Sequence, residues 1–415
     1  MTSSQSLSPE QLGCHYDGSF ENHTLLDILH HSFPDNYVMG KANIATATRL
    51  PTPTERELPE EKQLHWLAHV PDMVSKATEI LQTVDEFQKL SSLVISPPIA
   101  PALYAWLKAV DPATSDTHLT RKLSGEEDAV DRYTATMARP ILSVLSAIGN
   151  KECIITCYSA KKDAQSEVAS SKKATPDRVL RLSEEDLSDA LISLVVELKN
   201  INALGPKKLS LIMDAIARVQ RVFPQAKFIA FEFRWYQDGS SNRASFKEGY
   251  DTSLPAFMVH QIWYELMSTD THFAQLTCVK TTIFFIRTRI GSRNVLLFSE
   301  PIASLKLRLV DLVAFYYIST TPALKDKMMQ SLPSHDTLPP DLLRFMEVIY
   351  EDQENAEKLW GRSVNHTYGW NQCFGNIDQL QEAFSMAGCN FNHYASVTVD
   401  PTLNPQLGAK RSGRR

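Results

Sequence analysis

Apolar positions recur along this chain first at helical spacing, then in short strand-like runs, then at helical spacing again. Leu58, Leu64 and Leu67, followed by Met73, Ala77, Ile80, Leu81, Val84 and Phe87, predict two helices over 58–69 and 71–92. The proline-rich run VISPPIAPA (94–102) breaks that pattern and marks a boundary. Ser124-Gly-Glu126-Glu127 then caps a helix with the stripe Val130, Tyr133, Met137, Ile141, Val144 and Ile148, and Pro140 is expected to kink it. Short apolar runs at Cys153–Tyr158, Arg178–Leu182 and Ile192–Lys199 predict strands. Leu209, Ile212, Met213, Ile216, Val219 and Phe223 form one face of a helix beginning at Pro206, and a strand is expected over Lys227–Tyr236. His260–Met267 reads as a helix, Thr281–Arg287 and Val295–Ser299 as a hairpin across Gly291, and 302–319, 339–350 and 376–387 as helices.

Helix, three strands, helix and strand in that order predict an α/β (α+β) fold with a mixed central sheet flanked by helices. The expected division is a loosely ordered segment over 1–56, a helical region over 57–115, a core over 116–302, a second helical region over 303–400 and a basic tail over 401–415.

Composition narrows the function classes without choosing one. A chain of 415 residues with 43% hydrophobic residues has room for a substantial core. Its net charge of −6 argues against a protein that coats nucleic acid through charge alone. Six scattered cysteines do not make a disulfide framework, and a reducing compartment suits them better. The polar N-terminus lacks a signal-peptide pattern, and no apolar run reaches the ~20 residues that span a bilayer. The expectation is an intracellular protein, nuclear or cytoplasmic and not secreted, with no membrane partner. Glycine-rich phosphate loops, a Gly-x-Ser-x-Gly elbow and His-Glu-x-x-His are missing from the sequence, so P-loop, serine-hydrolase and zincin chemistry lack support.

The candidate chemistry lies at the end of the third predicted strand, where Leu191-Ile-Ser-Leu-Val-Val runs into Glu197-Leu198-Lys199. Alternation puts Glu197 and Lys199 on one face of that strand and Leu198 on the other. Pro176-Asp177 heads the preceding strand, and side-by-side pairing brings the two carboxylates together. Two such carboxylates call for a cation. Mg²⁺ (Mn²⁺ possible), a hard ion that keeps several waters, fits Asp177, Glu197 and the Leu198 carbonyl. Lys199 then stands where it can assist an attacking water or stabilise charge on a phosphate.

Pro176-Asp177 with Glu197-Leu198-Lys199 resembles the signature of the PD-(D/E)XK, restriction-endonuclease-like nuclease superfamily, over roughly residues 124–300. The arrangement is also similar to uncharacterised fungal proteins with this domain, some of which end in a module like Gln261-Ile-Trp-Tyr … Thr282-Ile-Phe-Phe-Ile-Arg … Leu297-Phe-Ser299. The resemblance implies a restriction-endonuclease-like core and a metal-dependent endonuclease, a hydrolase of phosphodiester bonds. DNA is the more favoured substrate over RNA. The resemblance also implies an acid on the leading helix, Glu126 or its neighbour Glu127, with Glu126 better placed by phase, and a polar residue on the following helix, Gln220. A homodimer is the simplest assembly for double-strand cutting by a single site, although the sequence carries no clear signal for one.

Three alternatives stay open. Glu232-Phe-Arg234 in the run FIAFEFRW is a rival motif, which would make the helix containing Gln261 the motif helix. A nuclease fold can bind nucleic acid or a protein partner without cleaving. Glu-x-Lys can also simply mark a solvated strand end in a structural protein.

Overall fold

The computed structural model describes residues 58–91, 133–149, 153–156, 176–182, 192–199, 229–234, 250–278 and 280–334, with short pieces or single residues at 26, 29–30, 32–33, 38–39, 122–123, 130, 204, 213, 217, 336–338, 343 and 369–370. The strands are β1 (Val38–Met39), β2 (Trp66–His69), β3 (Lys122–Leu123), β4 (Cys153–Thr156), β5 (Arg178–Leu182), β6 (Ile192–Leu198), β7 (Ile229–Arg234), β8 (Phe273–Thr277), β9 (Thr281–Ile290), β10 (Arg293–Phe298), β11 (Ile302–Ala303) and β12 (Gly369–Trp370). The helices are α1 (Met73–Gln82), α2 (Asp85–Ser91), α3 (Arg139–Gly149), α4 (Tyr250–Ser268), α5 (Leu309–Thr320) and α6 (Pro322–Ser331).

Ten strands form one mixed sheet in the order β12-β7-β2-β10-β9-β8-β6-β5-β4, with β11 added to β9; β1 and β3 pair separately. The expected α/β class and mixed sheet flanked by helices are present. β4, β5 and β6 are successive antiparallel neighbours, whereas β6 and β8 run parallel. Parallel neighbours need a crossover, and α4 lies in the chain between these two and packs on both.

Side-chain alternation assigns the helices to faces. Gln275 of β8 accepts a hydrogen bond from Tyr316 of α5 at 2.6 Å, so α5 covers that face. Glu197 is in register with Leu276, the next residue along β8, and bonds to Gln261 of α4 on the opposite face. α1 and α3 pack on α5. Burial on both faces explains why β6 reads as one continuous apolar run, with Ser193 to Leu198 all buried.

Several local expectations change. Residues 58–69 do not form a helix: a short 3₁₀ turn at Glu60–Lys62 leads into β2, which pairs antiparallel with β7 and parallel with β10. Packed between two strands, Trp66–His69 is buried at every position and so shows no strand alternation in sequence. The helix expected over 302–319 begins only at Leu309, after β11 and a 3₁₀ turn at Ser304–Lys306. Near Pro140 the helix carries a π-helical turn over Thr134–Ala138 that continues into α3; proline donates no backbone hydrogen bond, which favours such a local irregularity. The hairpin is present, longer than expected, and turns at Gly291 with φ 60°. The helices expected over 206–223, 339–350 and 376–387, the segment 1–56 and the tail 401–415 lie largely or wholly outside the described residues.

Candidate active site at the end of β6

The β5–β6 register pairs Arg178 with Val196, and one further step places Asp177 opposite Glu197. The Asp177 side chain turns onto the neighbouring main chain, where its Oδ2 accepts the Leu198 N–H at 2.7 Å. On the other side, the Lys199 N–H donates to the Thr277 carbonyl at 2.9 Å and extends the parallel ladder past the strand end. The segment 197–199 is therefore held from both flanks, which fixes where its side chains point.

Glu197, Lys199, Gln261 and Glu265 form one buried polar cluster, with exposures of 2%, 8%, 8% and 0%. Lys199 Nζ makes an ion pair with Glu197 Oε1. Gln261 Nε2 donates to the same oxygen at 2.6 Å and to Glu265 Oε1 at 2.9 Å. Both partners of that nitrogen are acceptors, so the amide orientation follows from chemistry. Gln261 and Glu265 are one helical turn apart and share a face of α4. Meeting polar groups there matters because burying unpaired charge is expensive.

Burial, foremost, pushes the Glu265 carboxyl well above the usual carboxylate range. The Glu197 charge pushes the same way, with a smaller push from Asp177; the Gln261 hydrogen bond and the Lys199 charge oppose them. Three oxygens in the cluster are buried without a hydrogen-bond partner: Glu197 Oε2, Gln261 Oε1 and Glu265 Oε2. Acceptors lacking donors are the atoms that a hard cation satisfies, so the donor set fits Mg²⁺ or Mn²⁺. Among the described residues, no three His, Cys, Asp or Glu side chains gather into a complete cage. A Mg²⁺ ion does not need one, since it commonly takes one or two carboxylates and keeps waters.

Of the site residues read from sequence, the structure brings Asp177, Glu197, Leu198 and Lys199 to one strand end. Glu126 and Gln220 lie outside the described residues, as does Glu127. The glutamine on Glu197 is Gln261, carried by the helix that leads into the parallel partner of β6. Sequence reasoning attached that helix to Glu232 and Arg234. Their strand, β7, lies instead toward the far edge, with β2, β10, β9 and β8 between it and β6. Glu265 was missed altogether. Its signal is a glutamine and a glutamate one turn apart within a run buried throughout, Met258 to Leu266.

Among the described residues no helix is long and apolar enough to cross a membrane. Cys278 is a buried free thiol. No known protein family, curated protein or solved structure matches this chain.

Proposed function

We propose that this chain has a PD-(D/E)XK, restriction-endonuclease-like core and hydrolyses phosphodiester bonds, in DNA rather than RNA, with a divalent cation. The observation that carries the reading is the arrangement at one strand end: Asp177 bonded to the Leu198 N–H, Glu197 paired with Lys199, and Gln261 from the crossover helix on the same carboxylate. The order α3, β4, β5, β6, β7, α4, β8, in which β4, β5 and β6 are antiparallel neighbours and α4 leads into a strand parallel to β6, supports it.

Asp177, Glu197 and the Leu198 carbonyl would hold the cation, which supplies a Lewis acid for the phosphoryl oxygen and the attacking water. Gln261 fixes the Glu197 carboxylate, so the site needs little rearrangement to act. Lys199 brings a positive charge to a place otherwise rich in carboxylates, where it stabilises the negative charge that builds on phosphorus oxygens. A homodimer would give two such sites for double-strand cutting.

Supercoiled plasmid incubated with Mg²⁺ or Mn²⁺ tests the proposal. Nicked or linear product from the wild-type chain, lost in Glu197→Ala and Lys199→Ala, is the expected result. Wild-type chain that leaves plasmid and single-stranded DNA uncut with either ion sinks the cleavage proposal.

The close Lys199–Glu197 pair favours a second reading, in which the lysine is spent on the carboxylate and the fold binds without cleaving. Salt-dependent retention of DNA with no cleavage would select it.

A further inference from the structure

We propose that Glu265 is itself a ligand of the cation, so that the crossover helix supplies an acid to the site beside those at the strand ends. The inference rests on the metal-dependent reading above and adds a residue to it.

Geometry brings the two carboxylates together. Glu197 Oε1 and Glu265 Oε1 accept from one nitrogen, Gln261 Nε2, at 2.6 and 2.9 Å, so they stand no farther apart than those two bonds laid end to end. The remaining oxygens of both carboxylates are buried and have no hydrogen-bond partner, and neither has the Gln261 amide oxygen. All three atoms are oxygens, the donor type that hard cations take. A single hard cation satisfies several at once, and oxygen donors select Mg²⁺ or Mn²⁺ over softer ions. Helix packing explains why Glu265 occupies that place: Ile262, Trp263 and Leu266 around it are fully buried, so the α4 face carrying Gln261 and Glu265 is held against the sheet.

Mn²⁺ binding to the full chain, followed by loss of the free-ion EPR signal without nucleic acid, tests the assignment apart from turnover. Glu265→Gln keeps an oxygen that can accept from Gln261 and removes the carboxylate that would ligate the ion. It should weaken Mn²⁺ binding by about 10–100-fold, with Asp177→Asn weakening it as well. Glu265→Asp, which keeps the charge but withdraws it by one methylene, should fall between wild type and Glu265→Gln. If Glu265→Gln binds Mn²⁺ like wild type while Asp177→Asn does not, the Glu265 assignment falls and the metal-dependent reading stands. If the wild-type chain binds no Mn²⁺, both fall. Should circular dichroism show Glu265→Gln unfolded, Glu265→Asp decides: wild-type affinity overturns the assignment, and weakened binding supports it.

Discussion

Asp177 accepts the Leu198 N–H at 2.7 Å, so the acid that heads β5 is tied to the main chain between Glu197 and Lys199. One carboxylate thus has two tasks, to join two strand ends and to present a charge beside Glu197. Asp177→Asn keeps an oxygen that can take the Leu198 N–H, whereas Asp177→Ala leaves that donor without it. Urea unfolding should show Asp177→Ala less stable by about 1–3 kcal/mol and Asp177→Asn much closer to wild type. Both should abolish metal-dependent plasmid cleavage. Equal stability losses in the two variants would mean that the hydrogen bond is not what the side chain contributes.

Gln261 is expected to be the most sensitive residue of the cluster to replacement by an apolar one. Gln261→Leu removes the donor shared by Glu197 and Glu265 and leaves two buried carboxylate oxygens without it. A loss of about 1–3 kcal/mol is expected, chiefly from Glu265 Oε1, because Glu197 Oε1 keeps its pairing with Lys199; chemical denaturation at neutral pH measures it. Adding Glu265→Leu to that variant should recover part of the loss, because the two residues share one interaction. Strict additivity of the two substitutions would contradict this.

A second buried chain lies on the opposite face of the sheet. Tyr133, at the start of the π-helical turn, shares a hydrogen bond with Tyr316, which donates to Gln275 on β8 at 2.6 Å. Both phenols are fully buried, and burial pushes both hydroxyls above the usual tyrosine range. Tyr316→Phe breaks both links and should cost about 1–3 kcal/mol. Tyr133→Phe should cost less, since Tyr316 can still donate to Gln275. Thermal melts of the two variants compare them, and an equal or reversed order would show that the Tyr316–Gln275 bond adds no stability.

His69 gives a pH dependence of definite sign. Burial pushes its imidazole down from 6.5 to about 4, against a smaller upward pull from Asp72, and its ring packs 5.2 Å from Phe298. The neutral form is the one folded in, so its contribution is complete above pH 6.5 and is lost as pH falls toward 4. Between pH 7.5 and 4.5 the wild-type chain should lose about 2–3 kcal/mol through this group. His69→Phe should flatten that part of the curve in urea titrations at the two pH values. A variant with an unchanged slope would show that other groups govern acid sensitivity.

How far the sequence could be read depended on how each segment is buried. β5 and β6 were legible because an apolar run ends abruptly in charge, and the hairpin because Gly291 separates two apolar runs. β2 was read as helix, since a four-residue strand packed between two others presents neither alternation nor length. The crossover to the parallel neighbour of β6 was assigned to the nearest amphipathic helix, but chain proximity does not fix sheet order. β7 joins β2, and the parallel partner comes only after α4. Asp177, Glu197 and Lys199 could be named because their strands announce them. Glu265 could not, because an acid inside a buried helix declares its partner only once the helix is docked.

β2 also sets a timetable for synthesis. Its strand emerges early from the ribosome, yet β7 and β10, between which it lies, are made far later. Across the β2–β10 seam the Asn294 N–H meets the His65 ring at a separation of 229 residues. Until β7 is made the apolar Trp66-Leu67-Ala68 stretch has neither of these strands to pair with, and until β10 follows one of its edges stays open; an unpaired apolar edge is what aggregation and chaperones both act on. The nascent chain should therefore depend on a holding partner until residue 298 has cleared the exit tunnel, and the sheet should close late and all at once rather than grow from one end.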